Sequence, residues 1–232
     1  MLAVIVPAHN EAEHISACVQ ALSVAARCER LNGEAVTVIV VLDACSDATA
    51  ALARSAGAVT ISVNARNVGF ARARGADLAL QRGARWLAFT DADTLVAPDW
   101  LAAQLALGCD AVCGTVAVSD WSSHGERTRQ HHDTTYRDVD GHRHIHGANL
   151  GVSASAYRRV GGFRPLHSSE DVALVEALQA CAATIAWSAA PRVVTSSRRN
   201  YRAPAGFGAA LELAESALAT SDAPALAAKA AD

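Results

Sequence analysis

The sequence predicts an α/β protein: a Rossmann-like, mostly parallel sheet flanked by helices in a single domain. Three observations predict it. Aliphatic or β-branched runs alternate with helical periodicities four times over the first half, the pattern of βαβ units. One of those runs, Val36 to Leu42, is a continuous β-branched run, the pattern of a strand buried on both faces of a parallel sheet. The chain of 232 residues is 51% hydrophobic and 19% charged, enough to bury one substantial core.

Residues 2–7 open the chain as a strand ended by a proline. Asn10 followed by Glu13 has the spacing of a capping box, and Ile15, Val19 and Leu22 then recur at helical intervals. A helix from Asp47 to Ala56 is stopped by Gly57, and residues 59–62 form a short strand. Gly69 to Gln81 reads as a helix, and Trp86 to Thr90 as a strand running into Asp91-Ala92-Asp93. Pro98 opens a helix to Leu107, and Ala111 to Val118 is a strand. Residues 119–147 are polar and His-rich, a stretch long enough to be partly helical and functional. His146 to Val152 is read as a strand, Ser153 to Val160 as a helix stopped by Gly161-Gly162, and Ser168 to Cys181 as a helix. Short strands at 184–187 and 193–195 precede a final helix from Phe207 to Ala219 and a frayed tail over 220–232. The domain is expected to divide into a half at 1–118 and a half at 119–219.

Composition excludes several classes. With 20 basic and 23 acidic residues the net charge is −3, and no block of one sign gives the basic face of a nucleic-acid binder. No apolar run reaches the roughly 18–20 residues that cross a bilayer, and the apolar start lacks a signal peptide's basic residues and cleavage site. Six scattered cysteines in apolar surroundings read as reduced thiols. Cys109 and Cys113 have no second pair with which to hold zinc. These features predict a soluble cytoplasmic protein.

Ligands of parallel sheets bind outside the carboxyl ends of the strands, where Pro7 to Glu11, Asp43 and Asp91 to Asp93 all fall. Residues i and i+2 of an extended chain point to one side, so Asp91 and Asp93 can address one object. Two hard oxygen donors there suit Mg2+ or Mn2+ carrying a phosphate; an isolated Asp-x-Asp is more often a solvated turn. Asp43 can accept hydrogen bonds from a base or ribose, whereas Asn10 and Asp47 read more simply as caps. Asn67-Val68-Gly69 precedes a helix bearing Arg72 and Arg74, which either meet a phosphate at the helix N-terminus or face solvent. Glu170-Asp171 opens a helix, where a carboxylate either complements the dipole or serves a site. Only one of two adjacent helical residues is expected to face a shared site. Arg198 and Arg199, with Arg202, either clamp a diphosphate or are solvated. His142, His144 and His146 alternate and would share one side of a strand, inviting either zinc or hydrogen bonds to a polar substrate; His146 is the candidate metal or diphosphate contact.

These pieces in their order resemble a family 2 glycosyltransferase of the GT-A fold, over nearly the whole chain to about residue 208. The resemblance rests on Val4-Ile-Val-Pro-Ala-His-Asn-Glu11, Val40-Val-Leu-Asp-Ala-Cys-Ser-Asp-Ala-Thr49 and Asn67-Val-Gly-Phe-Ala-Arg-Ala-Arg74. It continues through Phe89-Thr-Asp-Ala-Asp93, Gly147-Ala-Asn-Leu-Gly151, Val160-Gly-Gly-Phe163 and Glu170-Asp171. It implies that Pro7, Ala8, Asn10, Glu11 and Asp43 hold the base and ribose of a sugar-nucleotide donor. Gly69, Arg74, Asp91, Ala92, Asp93, Arg198 and Arg199 would complete the donor site. Asp93, with Asp91 and His146, would hold Mn2+ or Mg2+. Asp171, beside Glu170, would be the base that takes the acceptor's proton in an inverting displacement. UDP is the family's commonest nucleotide; the hydroxyl acceptor, soluble or lipid-linked, is open, and a lipid-linked one would place the enzyme peripherally at the inner face of a membrane.

The chain departs from the pattern at Leu42, where an acid is usual, at Ala44, where Gly is usual, and at Gly75, where Asn is common. Two rivals to the transferase reading are a non-catalytic nucleotide-sugar binding module and a sugar-nucleotide pyrophosphorylase. The second would open with a Gly-rich basic loop after the first strand, where this chain has Pro7-Ala-His-Asn-Glu11.

Overall fold

The computed structural model describes residues 1–166, 168–199 and 207–221. They gather into two compact units, the described residues of 1–119 with 137–196 and the described residues of 120–136 with those from 197 onward.

The first unit is built on a seven-stranded sheet. Its strands are β1 (Leu2–Ala8), β2 (Val36–Asp43), β3 (Val59–Val63), β4 (Trp86–Phe89), β6 (Ala111–Gly114), β8 (Leu150–Ser153) and β9 (Ile185–Ser188), in the order β3-β2-β1-β4-β8-β6-β9. β1 lies parallel to both β2 and β4, and β2 parallel to β3. β8 enters antiparallel between β4 and β6, and β9 closes the far edge parallel to β6. β2 is buried from Ile39 to Asp43, as its lack of alternation predicts, while Val36, Thr37 and Val38 at its start are only half-buried. Strand order reverses about β1, so the loops leaving β1 and β4 flank the crevice in which such sheets bind ligands.

Helices α1 (Ile15–Ala25), α2 (Thr49–Ser55), α3 (Val68–Gln81), α4 (Trp100–Ala106), α6 (Ala154–Arg159) and α7 (Glu170–Ala180) complete this unit. α3 packs on β1 and β2 through a face of Ala71, Gly75, Ala76 and Ala79. Gly75 explains the close approach: a Cβ there would lie 2.5 Å from Ile5 Cγ2 and 2.9 Å from Val41 Cγ2. Phe89, Tyr157 and Phe163 form an aromatic cluster, with Phe163 edge-on to Phe89 at 4.9 Å between centroids.

A second sheet of three short strands runs β5 (Thr94–Val96), β10 (Val193–Thr195), β7 (Ala117–Val118). The single strand expected over 111–118 is therefore two pieces. Gly114 ends the first because the Asn149 side chain occupies the space a Cβ would need, and Asn149 Nδ2 donates to Thr115 O at 2.7 Å. The strand expected from His146 begins only at Leu150, because residues 147–149 turn, with Asn149 N donating to His146 O. β5 itself was not legible.

The second unit pairs α5 (Glu126–Thr135) with α8 (Phe207–Ser221). Buried His124 meets Ser197 O through Nε2 at 2.7 Å, and Arg199 joins both Glu215 oxygens and Ser123 O. Of the tail expected over 220–232, residues 220 and 221 belong to α8, and the rest, like Arg202, lies outside the described residues. Among the described residues no helix is long and apolar enough to cross a membrane.

Candidate functional site

The loops that leave β1 and β2 are fastened to each other. Asn10 Oδ1 accepts from Ser46 N at 2.8 Å, Asp47 Oδ2 from Ala12 N at 3.1 Å, and Thr49 Oγ1 from Glu11 N at 2.7 Å. The Cys45 thiol donates to Ala8 O at 3.2 Å, and His9 Nδ1 meets Asp43 O at 2.6 Å. Asn10 thus caps no helix. It stands at φ +54, in the left-handed region that Asn tolerates, and α1 begins later at Ile15 without a side-chain cap. Nor is Asp47 the N-cap of α2, a place held by Ala48; its carboxylate accepts from Thr49 N, the first residue of that helix, at 3.0 Å.

Asp43 is buried, and its carboxylate accepts three backbone N–H groups: Ala65 and Arg66 on Oδ1 at 2.8 Å, and Asn67 on Oδ2 at 2.7 Å. Its local work is to shape the 63–67 loop, which ends with Asn67 capping α3 through Phe70 N at 2.8 Å.

Beyond β4 the chain turns through Asp91-Ala92-Asp93, with Thr94 N donating to Asp91 O at 3.1 Å. Ala92 is buried beneath the turn while both aspartates stay partly exposed. Thr94 is fixed to Thr195 by a 2.9 Å hydroxyl contact between β5 and β10. Cys18 of α1 lies below, its thiol 3.5 Å from Asp91 O. Burial, then Asp91 and Asp93, push that thiol up to about 12, so it keeps its proton.

At the centre stands Arg72 of α3, 3% exposed. Its Nη2 donates to Asp91 Oδ1 at 2.6 Å and its Nη1 to Glu170 Oε1 of α7. Burial works against the guanidinium charge, but Asp91, Glu170 and Asp171 together hold its pKa above the usual value. Burial pushes Glu170 up; Arg72 opposes this and neighbouring Asp171 adds to it. Two glycines make the arrangement possible. A Cβ on Gly147 would lie 2.3 Å from Arg72 Nη2, and one on Gly69 would lie 2.3 Å from Arg164 O and 3.1 Å from Glu170 Cβ.

Asp171 follows in the first turn of α7, half-buried. Its Oδ2 accepts from Gly147 N at 2.7 Å and its Oδ1 from Val172 N at 2.8 Å. Two backbone donors therefore fix its orientation. The adjacent acids divide as helical geometry requires: Glu170 turns inward to Arg72, Asp171 toward the 147 turn.

Several expected residues are placed elsewhere. Arg74 lies on the exposed face of α3, paired with Asp77 at 3.2 Å, so Arg72 takes the site position instead. Arg199 is neutralised by Glu215 within the second unit, and Arg198 is half-buried there. The three alternating histidines are not on a strand, yet they stack as a ladder, His142 on His144 at 5.5 Å and His144 on His146 at 5.8 Å. Arg143 lies over the Trp187 ring at 5.1 Å. The sequence offers Arg72 but no partner for it, because Glu170 and Gly147, which pair with it and admit it, lie 98 and 75 positions further along the chain.

Among the described residues no group of three or more His, Cys, Asp and Glu side chains can hold a metal ion, so His146 does not complete such a set with Asp91 and Asp93. The donors still fit a hard cation brought together with phosphate. They are two partly exposed carboxylates on one turn, with the neighbouring soft ligand, Cys18, kept as a thiol.

The sequence matches the model of glycosyl transferase family 2 over residues 3–163, more than half of the chain. No curated protein sequence matches significantly. Among solved structures, Staphylococcus aureus TarS 1-349 in complex with UDP-GlcNAc superposes with a TM-score of 0.67 at 14% identity, covering 89% of this chain and 61% of that one. The mannosyltransferase PcManGT from Pyrobaculum calidifontis, in complex with GDP-Man and Mn2+, gives 0.62 at 19% identity, covering 86% and 57%. Glucosyl-3-phosphoglycerate synthase from Mycobacterium tuberculosis, with Mg2+ and UDP, gives 0.56 at 16% identity, covering 84% and 69%. These likenesses speak for the fold, and the chain spans 61% and 57% of the first two structures.

Proposed function

Since the chain belongs to glycosyl transferase family 2, we propose that it moves a sugar from a nucleoside-diphosphate sugar to an acceptor hydroxyl with inversion. One observation carries the reading: Arg72 joins the carboxylate turn after β4 to the acidic first turn of α7. A donor-side pair and a candidate base therefore share one end of the sheet. UDP is the first nucleotide to test, as the family's commonest and the one held by two of the fold relatives.

The end of β1 and the fastened loops beyond β1 and β2 would offer Pro7 and Asn10, with the backbone around buried Ala8 and Glu11 and the backbone that Asp43 shapes, to the base and ribose. Asp93, with Asp91, would hold Mn2+ or Mg2+, which when bound offsets negative charge on a diphosphate. Glu170 is engaged by Arg72, which leaves Asp171 as the proton acceptor. As the acceptor oxygen bonds to the anomeric carbon, the bond from that carbon to the diphosphate oxygen breaks, and the hydroxyl proton passes to Asp171. The Gly147 and Val172 N–H groups keep the carboxylate aimed while this happens, a positional advantage rather than a chemical one.

Thermal unfolding with UDP, GDP, dTDP and CDP, each with and without Mn2+ or Mg2+, tests the donor reading. A ligand at a hundred-fold excess over Kd raises stability by about 2.7 kcal/mol. A metal-dependent rise with one nucleotide is the expected result; the absence of a rise with all four defeats the reading.

A further inference from the structure

We infer that Arg72 is a positioning residue that sets the donor carboxylates and the base-bearing turn of α7 in one frame. The inference rests on the transferase reading above. Three observations carry it. First, the guanidinium is nearly inaccessible, so it is not a surface cation waiting for a phosphate. Second, its two terminal nitrogens go to different elements, Asp91 at the end of β4 and Glu170 at the start of α7. Third, the backbone that holds the Asp171 carboxylate, at Gly147, is glycine where a side chain would collide with that guanidinium.

One rigid planar fork therefore determines the spacing of Asp91 from Glu170, and Glu170 is covalently next to Asp171. A guanidinium fits this role because its donors are fixed in a plane; an ammonium is a point charge on a flexible stem and cannot hold two carboxylates at a set separation. Arg72 touches neither donor nor acceptor in this account. It acts through Asp91 on donor binding and through α7 on the base. Outer partners of this kind are worth about 10–100-fold in metal affinity or turnover.

The test is Arg72→Lys, which keeps the charge and loses the fork. Its melting temperature is compared with that of Trp86→Phe, a control that loses the hydrogen bond to Gln104 at the opposite end of β4. The readouts are the Kd for UDP with Mn2+, taken by calorimetry, and kcat against KM for transfer or for slow donor hydrolysis. The expected result is a Kd weakened about 10-fold and kcat lowered about 10–100-fold in Arg72→Lys. Trp86→Phe should lose stability with neither change. Should Arg72→Lys not fold, the double variant Arg72→Met with Glu170→Gln removes both buried charges at once and is read in the same way. Nucleotide affinity and kcat equal to the parent's in the folded variant overturn this inference and leave the transferase reading standing. A parent protein that binds no nucleotide with either metal overturns both.

Discussion

Ala44 is held at φ +53, where an L-residue with a Cβ is strained by about 1–2 kcal/mol. Ala44→Gly should therefore stabilise the protein, by about 0.5–1 kcal/mol once the added freedom of the unfolded chain is subtracted, read as a rise in the urea midpoint. Asp93→Ala should abolish the metal-dependent part of the nucleotide thermal shift. Asp171→Asn should preserve that shift while lowering transfer at least about 100-fold, measured in single-turnover assays. Asp91 and Asp93 can be named as candidates from their place after a buried strand, although they stand on a turn rather than on the extended chain that the spacing of two assumes. Arg72 cannot be singled out in this way: it and Arg74 differ by two positions on a helix, and only the docking of α7 decides which of them is enclosed. Asn10 was misread for a related reason. The Asn-x-x-Glu spacing mimics a capping box, but the residue's left-handed backbone and its bond to Ser46 answer to the neighbouring loop.

At the scale of elements, Gly75 and Asn149 set how closely neighbours approach. Gly75→Ala gains helix propensity but drives a methyl into Ile5 and Val41, for a net loss of about 1–2 kcal/mol by chemical denaturation. Asn149 joins α4, the residues after β6 and the 191 turn through Trp100 Nε1, Thr115 O and Pro191 O, all within 2.8 Å. Asn149→Ala leaves those buried groups unpaired and should cost about 3 kcal/mol or more in the same measurement. The long apolar strands and the periodic helices were readable as such. The break after Gly114 was not, because it is imposed by a side chain far along the chain rather than by a local turn signal.

For the whole molecule, strand–helix alternation revealed the parallel half of the sheet, while the antiparallel entry of β8 left no mark in periodicity. The electrostatics give a pH dependence with a definite sign. Hydrogen bonds from Thr184 hold Asp110 below the usual carboxylate range, and Asp138, despite its burial, is held low by Thr115 and Arg192. Depressed groups of this kind contribute stability that is complete above their unfolded pKa of about 4 and is lost as the pH falls through their folded values. Glu170 has the opposite sign, since burial raises its pKa and its contribution falls as the pH rises past the unfolded value. Melting temperatures should accordingly be flat near neutrality and drop below about pH 4, where the depressed aspartates outnumber Glu170.

The ion pairs of Arg72 have a kinetic consequence as well. Its partners lie 19 and 98 positions further along the chain, so the pair with Glu170 forms only when α7 docks. Contacts made after the rate-limiting step affect the rate of leaving the native state far more than the rate of reaching it. In a chevron, Arg72→Lys should raise the unfolding limb without changing its slope, while its refolding limb overlays that of the parent.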